Sequence, residues 1–170
     1  MDVAELLSEE LGRLPSLVHD AVDGLDVELL TAPPLPGANT IAWLVWHLTR
    51  VQDHHVSELL SGDQLYITDG WFERFGRGAD PEDHGYGHTA GDVASVRPAS
   101  AEDLSGYYDA VHARTLAYVG QLSPADLDEV VDDRWDPPVT LGVRLASILS
   151  DDLQHVGQAA YARGILTRRP

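Results

Sequence analysis

The sequence predicts an all-α protein, a four-helix bundle with long connections. Four segments repeat their apolar residues at the helical period, whereas the alternation typical of strands is weak throughout the chain. Each segment carries one apolar stripe over roughly 20 residues, and four such stripes are buried best against one another. The chain of 170 residues is 44% hydrophobic, enough for one core but too short for two, so residues 1–170 are expected to form a single domain.

The first two helices are separated by a stretch rich in proline, where helix is excluded. The first helix is predicted over residues 2–25. Pro15 is expected to kink or divide it, because proline removes a helical hydrogen bond. Asn39 or Thr40 can cap the second helix, which is expected to end near Leu60.

The middle of the chain, residues 62–99, is expected to be a long irregular connection. It holds six glycines from Gly70 to Gly91, and a connection of this length in a compact domain is usually functional or mobile. Two short segments could be extended, residues 64–68 and residues 128–133. Because the connections after the first three helices are all long, simple up-and-down connectivity is not assured.

The third and fourth helices have clear start signals. Ser100 and the acidic residues after it resemble a capping box, which opens a third helix to about Leu122. Thr140 can cap a fourth helix that continues to about Ile165. These two helices complete the predicted bundle.

Composition excludes several classes of partner. A net charge of -17 argues against a nucleic-acid backbone or an anionic membrane as partner. The absence of cysteine excludes disulfides, thiolate ligands and a cysteine nucleophile, so any thiol chemistry must use the thiol of a small molecule. The N-terminus is acidic and no apolar run approaches a membrane span of about 20 residues. We therefore expect a cytoplasmic protein whose partners are small molecules.

An acid and a histidine lie on the buried face of the fourth helix. If Ile148 is placed at the centre of the apolar stripe, His155 projects close to that centre, and Asp151 and Asp152 lie on either side of it. A buried carboxylate costs several kcal/mol unless something pairs with it. A metal ion is the partner that also uses the histidine, since residues at i and i+4 can bind one ion. Projection alone does not decide which acid would be the ligand.

The second helix supplies a further candidate ligand. Trp43, His47 and His54 lie on one flank of its apolar stripe, and His47 is the best placed to reach across the bundle. His54 is interpreted as a neighbour of the ligands and His55 as a core residue. A histidine in this position is also commonly a hydrogen-bonded core residue, and an Asp–His pair is also commonly an ion pair, so spacing alone leaves both readings open. The remaining histidines are interpreted as surface residues: His19, His84, His88 and His112.

Two helical motifs resemble one family. They are IAWLVWHLTR at residues 41–50 and DDLQHVGQAAYARG at residues 151–164. Together they resemble the DinB-like superfamily of metal-binding four-helix bundles, especially the mycothiol- or bacillithiol-dependent S-transferases and the bundle domain of mycothiol-dependent maleylpyruvate isomerase. The resemblance implies one divalent metal, zinc or else nickel, bound by His47, Asp151 and His155. Many members have histidine where this chain has Asp151, and the isomerase branch has an acid there.

The resemblance also implies a function. We expect a metal-dependent transferase that joins a low-molecular-weight thiol, most simply mycothiol, to electrophilic small molecules for detoxification. Arg50, His54 and Gln158 are possible helpers in the reaction, and Trp43, Arg50 and Arg163 are possible contacts for thiol or substrate. Trp46 and Trp71 can also line a pocket.

Two alternatives and the oligomeric state stay open at this point. One alternative is a thiol-dependent isomerase of maleylpyruvate type, which typically carries a further C-terminal domain for which we expect no room in 170 residues. The other is a non-catalytic, metal-binding stress or scaffold protein. A homodimer is possible.

Overall fold

The computed structural model describes residues 1–168 and is predominantly helical. The order of elements along the chain is α1 (Val3–Leu11), α2 (Leu14–Val22), α3 (Val27–Thr31), α4 (Ile41–Leu59), α5 (Leu65–Thr68), α6 (Trp71–Arg74), α7 (Ala90–Ser95), α8 (Ala101–Val119), a 3₁₀ turn (Asp126–Asp128), β1 (Val130–Asp132), β2 (Val139–Thr140) and α9 (Leu141–Thr167).

The bundle is built from α1 and α2 as its first helix, followed by α4, α8 and α9. Helices α2 and α4 each pack mainly against both α8 and α9. Successive long helices are therefore not always neighbours, which answers the question of connectivity that the sequence left open. The arrangement places α4 and α9, which carry the two sequence motifs, side by side.

The first predicted helix is divided, as its proline suggests. The break follows Leu11 and includes Gly12, and Pro15 lies in the first turn of α2, where its missing N–H is tolerated. The Thr40 side chain caps α4 by accepting a hydrogen bond from the Trp43 N–H. The prediction of a divided first helix and a capped second one is confirmed.

The third and fourth long helices differ from prediction only at their ends. A capping box at Ser100 opens α8, which ends at Val119, three residues before the predicted end. Thr140 caps α9 by accepting from the Val143 N–H, and this helix continues to Thr167, past the predicted end. Residues at helix ends depend on the connections they meet, which the helical period does not encode.

The two predicted extended segments have different outcomes. Residues 130–132, within the predicted segment 128–133, form β1 and pair with β2 in an antiparallel two-stranded sheet. The prediction for residues 64–68 is wrong, because this segment forms α5. The carboxylate of Asp53 accepts hydrogen bonds from the Leu65 and Tyr66 N–H groups at the start of that turn, a long-range cap that favours helix there.

One continuous hydrophobic core joins the long helices, and α4 runs through its centre. Most residues of α4 between Ile41 and Arg50 are buried on every face, because the connection between α4 and α8 folds back over the helix. Within residues 1–168, no helix has both the length and the hydropathy that a membrane span requires.

Candidate metal centre

Three side chains from α4 and α9 converge at the interface between these helices. His47, Asp151 and His155 each offer one ligand atom, and the three atoms lie within 4.8 Å of one another. Asp151 and His155 are one helical turn apart, so they point the same way from α9. The structure thus brings together the three residues that the resemblance implies as ligands.

His47 is oriented by a loop carbonyl. Its Nδ1–H donates to the carbonyl oxygen of His84, which leaves the lone pair of Nε2 for the site. The indole ring of Trp43 stacks on the imidazole at 4.6 Å, with an angle of 8° between the planes. Burial is the main cause that lowers the pKa of His47, so the neutral imidazole, which is the form that binds metals, is favoured.

Asp151 and His155 form the second half of the site. The Nε2 of His155 lies 3.5 Å from Oδ1 of Asp151, and its Nδ1 lies 3.3 Å from Oε1 of Gln158. The hydrogen bond with Asp151 is the main cause that raises the pKa of His155. The other carboxylate oxygen, Oδ2 of Asp151, is buried and has no hydrogen-bond partner within residues 1–168. A buried oxygen without a partner is costly, and a cation beside it would remove that cost.

Asp152, in contrast to the half-buried Asp151, lies entirely within the core. It is only 1% exposed, and neither carboxyl oxygen has a hydrogen-bond partner in the part of the chain that the structure describes. Burial raises its pKa well above the usual range for a carboxyl, which favours the protonated form. Since a metal binds the carboxylate, the structure favours Asp151 over Asp152, the choice that projection left open.

A cavity of about 390 Å³ adjoins the site, and His47 and Asp151 form part of its wall. Serine, glutamine and histidine side chains make up most of the rest, and no lysine or arginine of residues 1–168 lines it. The polar lining residues beyond the ligands are His54, His55, His84, Tyr86, Ser147, Ser150 and Gln154. The cavity therefore offers many neutral hydrogen-bonding groups and no permanent positive charge.

Arg50 does not reach the cavity, so its predicted contact with thiol or substrate is corrected. The side chain is fully buried, and its Nε and Nη2 donate to the carbonyl oxygens of Asp83 and Pro81, both at 3.0 Å. Its guanidinium also lies 3.9 Å from the centre of the Tyr66 ring. Arg50 holds the loop against α4, because it donates hydrogen bonds to buried carbonyl groups of that loop that need a donor.

Arg163 and the tryptophans also lie outside the cavity, which corrects their predicted contacts with substrate. The guanidinium of Arg163 contacts the Ala21 carbonyl at 3.4 Å, on the side of α9 that packs against α2. Trp43 stacks on the imidazole of His47, and its Nε1–H donates to Nδ1 of His88. Trp46 is fully buried, and Trp71 packs against other rings beside α8.

Three of the histidines predicted at the surface are more enclosed than expected, His84 and His88 being half-buried and His112 buried. His84 lines the cavity, His88 bonds to Trp43 and lies 2.9 Å from a carboxylate oxygen of Asp83, and His112 is buried beside Tyr108. The sequence gives no local sign of this, because the burial of the first two arises when the loop folds back over α4. His19, in contrast, is partly exposed and pairs with Asp109.

His54 and Gln158, the predicted helpers, lie near the ligand group, whereas the prediction of His55 as a core residue is corrected. His54 lines the cavity, and the exposed Gln158 bonds to His155. His55, predicted as a core residue, is half-buried, and Nη1 of Arg144 lies 3.2 Å from both of its ring nitrogens.

A second group of possible ligands consists of His54, His55 and Glu58. Burial and the nearby charge of Arg144 lower the pKa of His55 to about 4. The same positive charge would repel a metal cation at this group. Among the described residues, the group around His47 therefore fits a divalent metal better.

Sequence reasoning missed Gly85 and Gln64. Gly85 has φ of +98°, and a Cβ there would lie 2.6 Å from Nδ1 of His47, so only glycine allows this close approach. The amide of Gln64 bonds to both Arg50 and His54. The glycines of the connection were the one sequence signal for Gly85, and Gln64 gave none.

Comparison with known proteins gives a consistent result. A sequence model of the family described as the DinB superfamily matches residues 10–159. The crystal structure of a conserved protein from Enterococcus faecalis is similar, with 33% sequence identity, 99% of each chain covered and a TM-score of 0.90. No curated protein matches the chain.

Proposed function

The chain belongs to the DinB superfamily, and we propose that it is a metal-dependent S-transferase that joins mycothiol, or a similar small thiol, to electrophilic small molecules. Members of this superfamily typically bind a metal, and the three grouped side chains provide candidate ligands here. Detoxification of the electrophile is the purpose that such a reaction serves.

The observation that carries this proposal is the partnerless oxygen of Asp151. The carboxylate that carries it is grouped with two imidazoles whose Nδ1 atoms are held by the His84 carbonyl and by Gln158. This set of two nitrogens and one oxygen suits zinc, and nickel is the second choice. Three protein ligands leave coordination positions open, which is typical of catalytic rather than structural sites.

A divalent metal bound there would supply a Lewis acid that lowers the pKa of a thiol at neutral pH. The chain contains no cysteine, so the thiol must come from a small molecule. The cavity has His47 and Asp151 in its wall, so a thiol bound in it would lie next to the metal ligands. Ser147, Ser150 and Gln154 present hydroxyl and amide groups there, which suit a thiol rich in hydroxyl groups.

Incubation of the purified protein with mycothiol and a chromogenic electrophile, with and without zinc, tests the proposal. We expect a conjugate, identified by mass spectrometry, that forms only with both protein and metal and is lost in His47→Ala. The absence of a metal-dependent conjugate with any bacterial thiol would overturn the proposal.

The same experiment separates the two alternatives. Tight metal binding without any thiol reaction would assign the chain to the non-catalytic, metal-binding members of the superfamily. Thiol-dependent cis–trans conversion of maleylpyruvate, without accumulation of a conjugate, would instead assign it to the isomerases. Each result needs only the same protein preparation and a change of substrate.

A further inference from the structure

The amide of Gln64 has a fixed orientation. Its Oε1 accepts a hydrogen bond of 2.7 Å from Nη1 of Arg50, and its Nε2 donates to the carbonyl oxygen of Pro81 at 3.1 Å. Arginine can only donate and a carbonyl can only accept. The amide oxygen of Gln64 must therefore face Arg50 and its nitrogen must face the loop.

The second N–H of this amide fixes the tautomer of His54. Nε2 of Gln64 lies 3.0 Å from Nδ1 of His54. Because the amide nitrogen is the donor, Nδ1 of the imidazole must be the acceptor and carries no hydrogen. The proton of neutral His54 consequently lies on Nε2.

The Nε2–H of His54 has no hydrogen-bond partner among the described residues and can donate to a ligand. His54 forms part of the cavity wall, whereas Gln64 does not. Nε2 lies 3.7 Å from the nearest carboxylate oxygen of Glu58, too far for a hydrogen bond. The imidazole is also unsuited to bind a metal through Nε2 in this tautomer, since its lone pair is on the other nitrogen.

His84 provides a second donor of the same kind. Its Nδ1 accepts from the Tyr86 N–H at 3.4 Å, so its proton also lies on Nε2. The rings of His54 and His84 are 5.4 Å apart, and both line the cavity. Two imidazole N–H donors thus belong to residues on one wall of a cavity that has no lysine or arginine among the described residues.

We infer that His54, held by Gln64 as positioning residue, and His84 donate hydrogen bonds to an oxygen atom of the electrophile, which is then a carbonyl compound such as an enone. This inference rests on the proposed function for the identity of the reaction. As the thiol sulfur bonds to the β carbon, the C=C electron pair moves toward the carbonyl oxygen, where charge develops. The thiol proton ends on the α carbon, so the addition is balanced without an oxidant or reductant. Donors aimed at such an oxygen stabilise the developing charge.

Nitrogen-15 NMR of the histidine rings tests the tautomer without any need for activity. In the wild-type protein we expect His54, assigned with His54→Gln, to carry its proton on Nε2, and 2-cyclohexenone to shift that resonance. In Gln64→Glu the new carboxylate accepts from the imidazole, so the proton should move to Nδ1 or both nitrogens should be protonated. Gln121→Glu adds the same charge at an exposed residue and should leave the spectrum unchanged. An unprotonated Nε2 in the wild type, or an unchanged His54 in Gln64→Glu, would overturn the inference.

Kinetics with two electrophiles test the role of the oxygen. Gln64→Glu should lower kcat for thiol addition to 2-cyclohexenone by roughly tenfold or more. The loss should be clearly smaller with benzyl bromide, where bromide leaves and no charge develops on oxygen. Equal losses with both electrophiles would contradict the inference. If neither electrophile is conjugated, the result counts against the proposed function. The NMR experiment still decides the tautomer of His54 and its response to the enone.

Discussion

At the scale of single residues, Asp151 and Asp152 are adjacent in sequence but have opposite chemistry. Asp151 has one oxygen beside His155 and another without a partner, at the edge of a polar cavity. Asp152 points into the core, where burial favours its protonated form. Because consecutive residues of a helix point in different directions, Asp151 is a candidate ligand whereas Asp152 is a core group.

Gly85→Ala is expected to weaken metal binding roughly tenfold or more, because it disturbs the hydrogen bond that orients a metal ligand. The added Cβ would lie 2.6 Å from Nδ1 of His47, so the imidazole has to move away from its hydrogen bond with the loop. Gly87→Ala is the matched control, because Gly87 also has a positive φ, +75°, but nothing lies within 4 Å of the added atom. Calorimetric zinc titration of both variants measures the difference. Equal affinities in the two variants would show that the close approach at Gly85 does not matter.

His55 should make stability fall as the pH is lowered. Its pKa is about 4 in the folded protein, because of burial and Arg144, and about 6.5 in the unfolded chain. Between these values the unfolded state binds the additional proton. The contribution of His55 is therefore complete above pH 6.5 and is lost as the pH falls toward 4, by an amount on the order of 3 kcal/mol.

Urea unfolding of His55→Asn from pH 4 to 7.5 checks this prediction. The variant should lose less free energy of unfolding than the wild type on acidification. His19→Asn provides a contrast of opposite sign, because hydrogen bonding with Asp109 raises the pKa of His19 and its contribution is lost as the pH rises. A wild-type pH profile retained in His55→Asn would refute the assignment.

At the scale of elements, one loop and one helix build the site together. The segment from Asp80 to Gly85 lies over α4, held by Arg50, and it supplies the carbonyl group that orients His47. The buried guanidinium of Arg50 thus supports the candidate metal centre through this loop. The geometry of His47 depends on whether this loop stays in place.

Arg50→Met should destabilise the protein by about 3 kcal/mol or more. The substitution keeps much of the buried volume but removes the Arg50 donor to the Asp83 carbonyl and one of the two donors to the Pro81 carbonyl, which keeps its hydrogen bond from Gln64. Zinc affinity should fall as well, because the loop carbonyl that holds His47 is released. Arg74→Met removes an arginine whose side chain is 57% exposed and should change the free energy of unfolding by less than about 1 kcal/mol. Similar unfolding curves for the two variants would contradict the role of Arg50.

The sequence predicts the long helices well because their signals are local. Apolar residues at the helical period and caps at Thr40, Ser100 and Thr140 mark α4, α8 and α9. The helical period also places His47 and His155 towards the buried faces of these helices, whereas the ligand set with Asp151 is implied by the family resemblance. Gln64 could not be predicted, since its role depends on a loop contact far away in sequence.

The loop misled sequence reasoning in both directions. The sequence suggests that Arg50 contacts substrate, but the loop encloses its side chain. The sequence also suggests that His84 lies at the surface, but the loop places it in the wall of the cavity. Both outcomes depend on long-range packing, and neither leaves a periodic signal in the chain.

At the scale of the whole molecule, a chain with net charge -17 places two imidazoles and one carboxylate together at a helix interface. The surrounding negative charge attracts cations over a long range. A metal that binds only the folded state also stabilises it, by an amount that grows with the ratio of metal concentration to Kd. The candidate site thus couples metal binding to the stability of the α4–α9 pair.

The metal content of three purified proteins tests the central claim most directly. After loading with zinc and gel filtration, the wild type should retain one metal per chain. Asp151→Ala should retain none, whereas Asp152→Ala, checked for folding by circular dichroism, should retain one. A wild type without bound metal, or an Asp151→Ala variant that keeps one metal per chain, would contradict the site formed by His47, Asp151 and His155.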